Sequence, residues 1–160
     1  YVRKRGFVSG GDLQPLDDTY LAAVELRLAG EELARAMRVT DDEEYYFLTL
    51  LRGADQGERP PADEVPDSMA KVRGLAYASA VDAYRADARR YLEDHPDETV
   101  RALLGRVRDH QKRVEALDGD VSPRTVGDLV YVVRAAGRAL ADDDETALAE
   151  AQRRLDEFEA

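Results

Sequence analysis

Apolar residues recur at alternating spacings of three and four along most of the chain, the period of helices with one buried face. The longest such run lies between Pro66 and Pro96. There Ala70, Gly74, Tyr77, Val81, Tyr84, Ala88 and Tyr91 share a face, and no charge interrupts Gly74 to Val81. A helix that is apolar all round over two turns is buried on more than one side. The spacing therefore predicts a central helix over 67–95. Asp67 or Ser68 can cap its start. Pro96 ends it, by removing an amide and forcing His95 out of helical geometry.

The flanking pattern predicts further helices. Asp17 or Asp18 opens one, with Leu21, Val24 and Leu28 on one line and Leu26, Ala29, Leu33 and Ala36 on another. Gly30 is expected to bend or break it. Thr40 to Glu43 reads as a capping box before Tyr45, Tyr46, Phe47, Leu48, Leu50 and Leu51, with Gly53 as the stop. Residues 53–66 hold Gly53, Gly57, Pro60, Pro61 and Pro66 among charges. They form the one long loop, a candidate hinge between an N-terminal helical pair and the remainder, with a core expected to span both. After Pro96, Asp97 caps a helix lined by Val100, Leu103, Val107, His110, Val114 and Leu117, which Gly119 ends. Ser122-Pro123 starts the next, lined by Val126, Leu129, Val133, Ala136 and Leu140. Asp142 and Glu145 make a second box ahead of Leu148, Ala151, Leu155 and Phe158. No strand pattern and no repeat period appears. The expected architecture is all-α: a single-domain bundle of about six antiparallel helices around helix 67–95. It occupies residues 15–160, behind residues 1–14, which carry Arg3, Lys4 and Arg5 and read as a basic polar arm or an incomplete first element.

Charge changes this picture in one respect. The net charge is −11, and Lys4, Lys71 and Lys112 are the only lysines among 23 basic residues. A dense carboxylate surface in which arginine replaces lysine fits a high-GC genome and a salt-rich cytoplasm, the alternative being an ordinary acidic protein of a high-GC bacterium. Near molar salt the Debye length is roughly 3 Å and repulsion among carboxylates is screened. Overall acidity argues against general nucleic-acid binding. One region departs from it. From Tyr84 to Arg113 eight basic residues face six acidic ones, a local +2. Arg101, Arg108 and Lys112 share one flank of their helix, and Arg85 and Arg89 lie on the helix before. Such a stripe either meets phosphates or an acidic protein, or is a solvated face.

Tyr77, Tyr84 and Tyr91 stand seven apart on the central helix. They either stack bases or pack as a core stripe, and tyrosines at helical spacing are most often packing residues. His95 at a helix end and His110 on an apolar face read as rim histidines, since neither has a metal-ligating partner at helical spacing. Asp118, Asp120 and Ser122 imitate a calcium loop, but Pro123 and Leu129 stand where glycine and glutamate are required. The acidic runs Asp41–Glu44 and Asp142–Glu145 sit where helices start, which the helix dipole favours. No phosphate loop, dinucleotide fingerprint or nucleophile elbow is present. The sequence predicts no catalytic, metal or cofactor site and no enzyme. There is no cysteine, no span long enough for a membrane and no leader pattern. A cytoplasmic protein is expected, and the opening on Tyr1 rather than Met raises the expectation of a trimmed or excised chain.

Arg5-Gly6-Phe7, Pro15-Leu16-Asp17-Asp18-Thr19-Tyr20, and Tyr46-Phe47-Leu48 through Leu51-Arg52-Gly53-Ala54-Asp55 resemble an uncharacterised family of haloarchaeal proteins. The resemblance implies a halophilic cytoplasm and a short zinc ribbon ahead of this region, whose cysteines the chain lacks. It carries no activity. The leading expectation is a non-enzymatic helical module for protein–protein interaction, with another protein or a second copy as partner. Tyr77, Tyr84 and Tyr91, or the cluster Tyr45–Leu51, would anchor it where exposed. The alternative is a nucleic-acid- or ribosome-associated factor using Arg85, Arg89, Arg101, Arg108 and Lys112.

Overall fold

Six helices form among the described residues, where local chemistry permits a start and a stop. The computed structural model describes residues 6–160. Arg3, Lys4 and Arg5, and the basic character expected of the arm, lie outside the described residues. Helix α1 runs Asp18–Arg35, α2 Asp41–Gly53, α3 Ala70–Asp94, α4 Glu98–Ala116, α5 Pro123–Asp142 and α6 Glu145–Glu159. The Asp17 carboxylate accepts the Tyr20 amide at 2.7 Å, and Asp97 accepts that of Val100 at 3.1 Å. Thr40 and Glu43 exchange both bonds of a capping box, at 3.0 and 3.1 Å. Each occupies amides that a first helical turn leaves without partners. A 3-10 turn over Asp67–Met69 leads into α3, which matches the stretch expected from the spacing. Between Ala70 and Ala88 only Ser79, Asp82 and Ala86 are exposed.

Three expectations are corrected. Helix α1 continues through Gly30: a Cβ there would meet only the Phe47 ring, at an ordinary 3.5 Å, and Ala29 beside it is core. Packing outweighs the glycine's propensity. Helix α6 is capped by Asp144 rather than Asp142, its side chain accepting the Ala147 amide at 3.0 Å. Finally, residues 6–16 are no solvated arm, and a strand pair is present. Val8–Ser9 pairs antiparallel with Asp12–Leu13. Gly10 and Gly11 turn the chain at φ +61° and +85°, the left-handed region open to glycine. Phe7, Leu13 and Leu16 are buried.

The described residues sort into two compact units, and α3 passes through both. The α1–α2 unit holds residues 17–80 and 114–127, so the 53–66 loop lies inside it rather than at a boundary. Its core is Ala29, Tyr46, Leu50, Val65, Met69 and Val72, with Leu26, Leu28, Leu33 and Phe47 packed against them. A charged network crosses it. Glu25, fully buried, accepts from the Tyr46 hydroxyl at 2.5 Å and from Arg73 Nε at 3.0 Å. Arg73 also donates to the Pro60 carbonyl at 2.7 Å. Arg59 donates to the Tyr77 hydroxyl at 2.7 Å and to Asp18 at 2.6 Å. The Arg59 and Arg73 guanidiniums lie 5.5 and 5.3 Å from the Tyr77 ring centre, within cation–π range. Burial and the Glu25 charge push the Tyr46 hydroxyl far above the usual tyrosine range, so it stays protonated and donates. Gly74 admits the backbone of Gly119 so closely that a Cβ would fall 2.1 Å from the Gly119 oxygen.

The hairpin unit holds residues 6–16, 81–113 and 128–160. Phe7 packs edge-on against Tyr84, ring centres 4.9 Å apart, and its amide donates to Asp87 at 2.5 Å. The Tyr84 hydroxyl donates to the Gln14 carbonyl at 2.8 Å, and burial raises its pKa well above the usual range. Gly137 on α5 makes room for that hydroxyl, which would lie 2.2 Å from a Cβ. Arg134 holds the Leu16 carbonyl at 2.7 Å. Helix α6 is tied to α4 by Arg106, which reaches Asp156 at 2.8 Å and Glu159 at 2.6 Å. His110 Nε2 meets Glu159 at 2.8 Å, and its ring lies edge-on to Phe158 at 4.7 Å.

Candidate anion-binding pocket

Pro96 breaks the helical run, and a turn over 95–97 carries the chain from α3 into α4. Within the hairpin unit this brings two short series together. On α3, Arg85, Arg89 and Leu92 lie at spacings of four and three. On α4, Arg101, Leu104, Gly105 and Arg108 lie one and two turns apart, so each series shares a helix face. These seven residues line one cavity of about 350 Å³.

Arg85 forms the floor. It is 5% exposed, and its Nε donates to the Leu104 carbonyl at 3.3 Å. That bond fixes the guanidinium against α4. Asp82, one turn back, lies 3.9 Å from it. Arg89, Arg101 and Arg108 are exposed around the opening. Arg101 approaches Glu98 at 3.7 Å, a surface pair of little energetic weight. No ion pair of Arg89 or Arg108 occurs among the described residues. Leu92 and Leu104 are buried and give the wall an apolar portion. Gly105 leaves the rim open, since a Cβ there meets nothing within 4 Å.

The lining carries four guanidiniums and no carboxylate, hydroxyl or imidazole. Such a set offers no nucleophile and no general base. It offers planar forks of N–H donors that match the paired oxygens of phosphate or carboxylate. Four like charges around one cavity also repel each other, and an oxyanion relieves that repulsion.

Of the residues singled out from sequence, Arg85, Arg89, Arg101 and Arg108 are brought together. Lys112 lies on α4 beyond Arg108 and is exposed outside the lining. The tyrosine stripe does not form a surface. Tyr77 is 7% and Tyr84 1% exposed, and both hydroxyls are engaged internally. Tyr91 is half-buried and stacks on His95, ring centres 4.1 Å apart. Tyr77 and Tyr84 thus serve the core and offer no anchor for a partner, because burial of their rings outweighs solvation of one hydroxyl. In the Tyr45–Leu51 cluster Tyr46 and Leu50 are core, whereas Tyr45 is 66% and Leu51 54% exposed. Leu92, Leu104 and Gly105 were not singled out from sequence. The available signal was Gly105, a glycine inside a helix on the same flank as Arg101 and Arg108. No group of three or more potential metal ligands occurs among the described residues, and no described helix is long and apolar enough to cross a membrane.

Two comparisons with known proteins are empty: no curated protein and no solved structure matches the chain. A third is not. Residues 1–155 match the model of a family of unknown function, DUF7117, and the chain belongs to that family.

Proposed function

We propose that this member of a family of unknown function is a non-enzymatic helical binding module of a salt-rich, haloarchaeal cytoplasm. Its partner is nucleic acid, held by phosphate groups in the pocket of Arg85, Arg89, Arg101 and Arg108. The observation that carries the reading is the lining itself: four guanidiniums from two helices around one cavity, with no carboxylate among them. The rest of the chain is acidic, so the pocket is where a polyanion is least repelled. Single-stranded RNA retained by the wild-type chain tests it. R89E/R101E/R108E, all at exposed positions, abolishes retention if the reading is right. Retention unchanged by the three reversals would falsify it.

A second reading keeps a protein partner, or a second copy of the chain. It rests on Met37, Val39, Tyr45 and Leu51, large apolar residues left exposed on or just before α2. Salt separates the two. Phosphate contacts weaken steeply as salt rises, whereas apolar contacts hold or strengthen. A sedimentation experiment in molar KCl decides it: association that Y45S/L51S abolishes supports this reading, and a monomer at every salt concentration excludes self-association.

A further inference from the structure

We propose that the pocket seats a phosphomonoester, the terminal phosphate of an RNA chain or of a free nucleotide, rather than the diesters along a strand. The inference rests on the reading of the pocket as a phosphate site and narrows its ligand.

Charge is the first reason. A strand diester presents one negative charge and two free oxygens. A phosphomonoester carries about −1.5 to −2 at neutral pH and three acceptor oxygens. Four guanidiniums line the cavity, and those of the exposed Arg89, Arg101 and Arg108 can each present a two-pronged fork. The monoester brings one more free oxygen and more charge to share among them.

Access is the second. The floor cation, Arg85, is buried and pinned to the Leu104 carbonyl. A group that reaches it must project from the end of a molecule, because a diester stays flanked by sugars on both sides. The cavity, at about 350 Å³, lies at the lower end of the roughly 300–1,000 Å³ of small-ligand clefts. It is larger than a phosphate alone. Leu92 and Leu104 supply an apolar surface for the sugar or base that follows the phosphate, and Gly105 leaves the rim clear for it.

Salt is the third. Loose backbone contacts lose affinity with every released counterion. Contacts to a partly buried cation are screened far less. A concave monoester seat therefore holds its ligand at salt concentrations where a strand bound along an open face is lost.

The test uses the full chain and a short single-stranded RNA labelled at its 3′ end, carrying either a 5′-phosphate or a 5′-hydroxyl, with AMP as competitor. Fluorescence anisotropy is read at low and high salt. The 5′-phosphorylated RNA is expected to bind about tenfold tighter, the worth of one added charge-assisted contact. Its lead should widen as salt rises. G105L, which fills the rim without altering charge, and R89Q/R108Q are each expected to remove the preference for the 5′-phosphorylated RNA. AMP competing as well as phosphorylated RNA assigns the seat to free nucleotides, and weaker competition assigns it to chain ends. Equal affinity for both ends, with R89Q/R108Q weakening both alike, overturns the inference and leaves the nucleic-acid reading standing. Binding of neither RNA removes both.

Discussion

Arginine appears in two settings in this chain, and the two differ in what answers the charge. In the α1–α2 unit Arg73 is buried against Glu25, the Pro60 carbonyl and the Tyr77 ring, and Arg59 is held by Asp18 and the Tyr77 hydroxyl. In the hairpin unit four arginines line a cavity whose walls contain no carboxylate. Shortage of acid cannot explain the second arrangement, since the chain has 34 aspartates and glutamates against 23 lysines and arginines. A buried cation must be matched inside the fold, because an unpaired charge there costs several kcal/mol. A cation at a solvent-open cavity can leave its match to water, salt or a ligand. The contrast separates Arg59 and Arg73, which hold the fold, from Arg89, Arg101 and Arg108, exposed at the cavity and available to something outside it; buried Arg85, bonded to the Leu104 carbonyl, belongs with the first group.

The largest expected effect breaks the matched side. Arg73→Met strands a fully buried Glu25 and should cost about 3–5 kcal/mol of stability. Urea unfolding at fixed salt reads this, and Glu25→Gln added to Arg73→Met should recover part of the loss. A cost of less than about 1 kcal/mol would mean the network is far more hydrated than its burial implies.

On the open side the effect moves from stability to binding. Arg89→Glu with Arg108→Glu removes two phosphate contacts, each worth about 1.5 kcal/mol or more, so RNA affinity should fall about 100-fold or further. Unfolding should shift by no more than about 0.5 kcal/mol, as for other exposed substitutions. A stability loss as large as that of Arg73→Met would erase the distinction between the two settings.

Two helical glycines sharpen the comparison without touching a charge. Gly74 lies where the Gly119 backbone passes, and Gly105 lies on the pocket rim with open space around it. Gly74→Ala should therefore destabilise by about 1–3 kcal/mol through overpacking. Gly105→Ala should stabilise by roughly 0.5–1 kcal/mol through helix propensity alone. Thermal unfolding of the pair gives opposite signs if the first glycine serves packing and the second serves space.

Much of the fold was legible because helix starts and stops are local chemistry. Thr40 and Glu43, Asp17, Asp97 and Pro96 act within four residues of themselves. The hairpin was not legible: each strand is two residues long, too short to show a period of two, although the Gly10-Gly11 pair was a turn signal. Glu25 lies between two apolar lines of α1, and nothing nearby in sequence marks it as buried. Its partner Arg73 is 48 residues away. The pocket was half legible. The stripe of arginines could be read on each helix separately, but its closure around a cavity depends on how α3 and α4 face each other across the turn at Pro96. The tyrosine stripe shows the converse: its helical spacing was plain, and only burial shows that Tyr77 and Tyr84 face inward.

The smallest effect concerns Arg106, which shares α4 with the pocket arginines yet is answered by Asp156 and Glu159. It belongs with the matched cations, though at the surface. The Arg106 guanidinium, then His110, holds the Glu159 carboxyl below its ordinary pKa of 4.5. A carboxyl depressed in the folded state binds its proton more readily when unfolded. Its contribution is therefore present above the ordinary carboxylate range and is lost as pH falls through the lowered value. Glu159→Gln should remove that portion of the acid loss and little else, an amount below about 1 kcal/mol because the cluster is solvent-facing. Glu32 and Glu43 are depressed in the same direction by their own partners, so the quantity to follow is the difference between wild type and variant from pH 7 down to pH 4. RNA affinity at neutral pH should not change, since Glu159 is outside the pocket lining. A variant with the wild-type acid slope would show that Arg106 is answered in geometry alone and contributes no stability through this carboxylate.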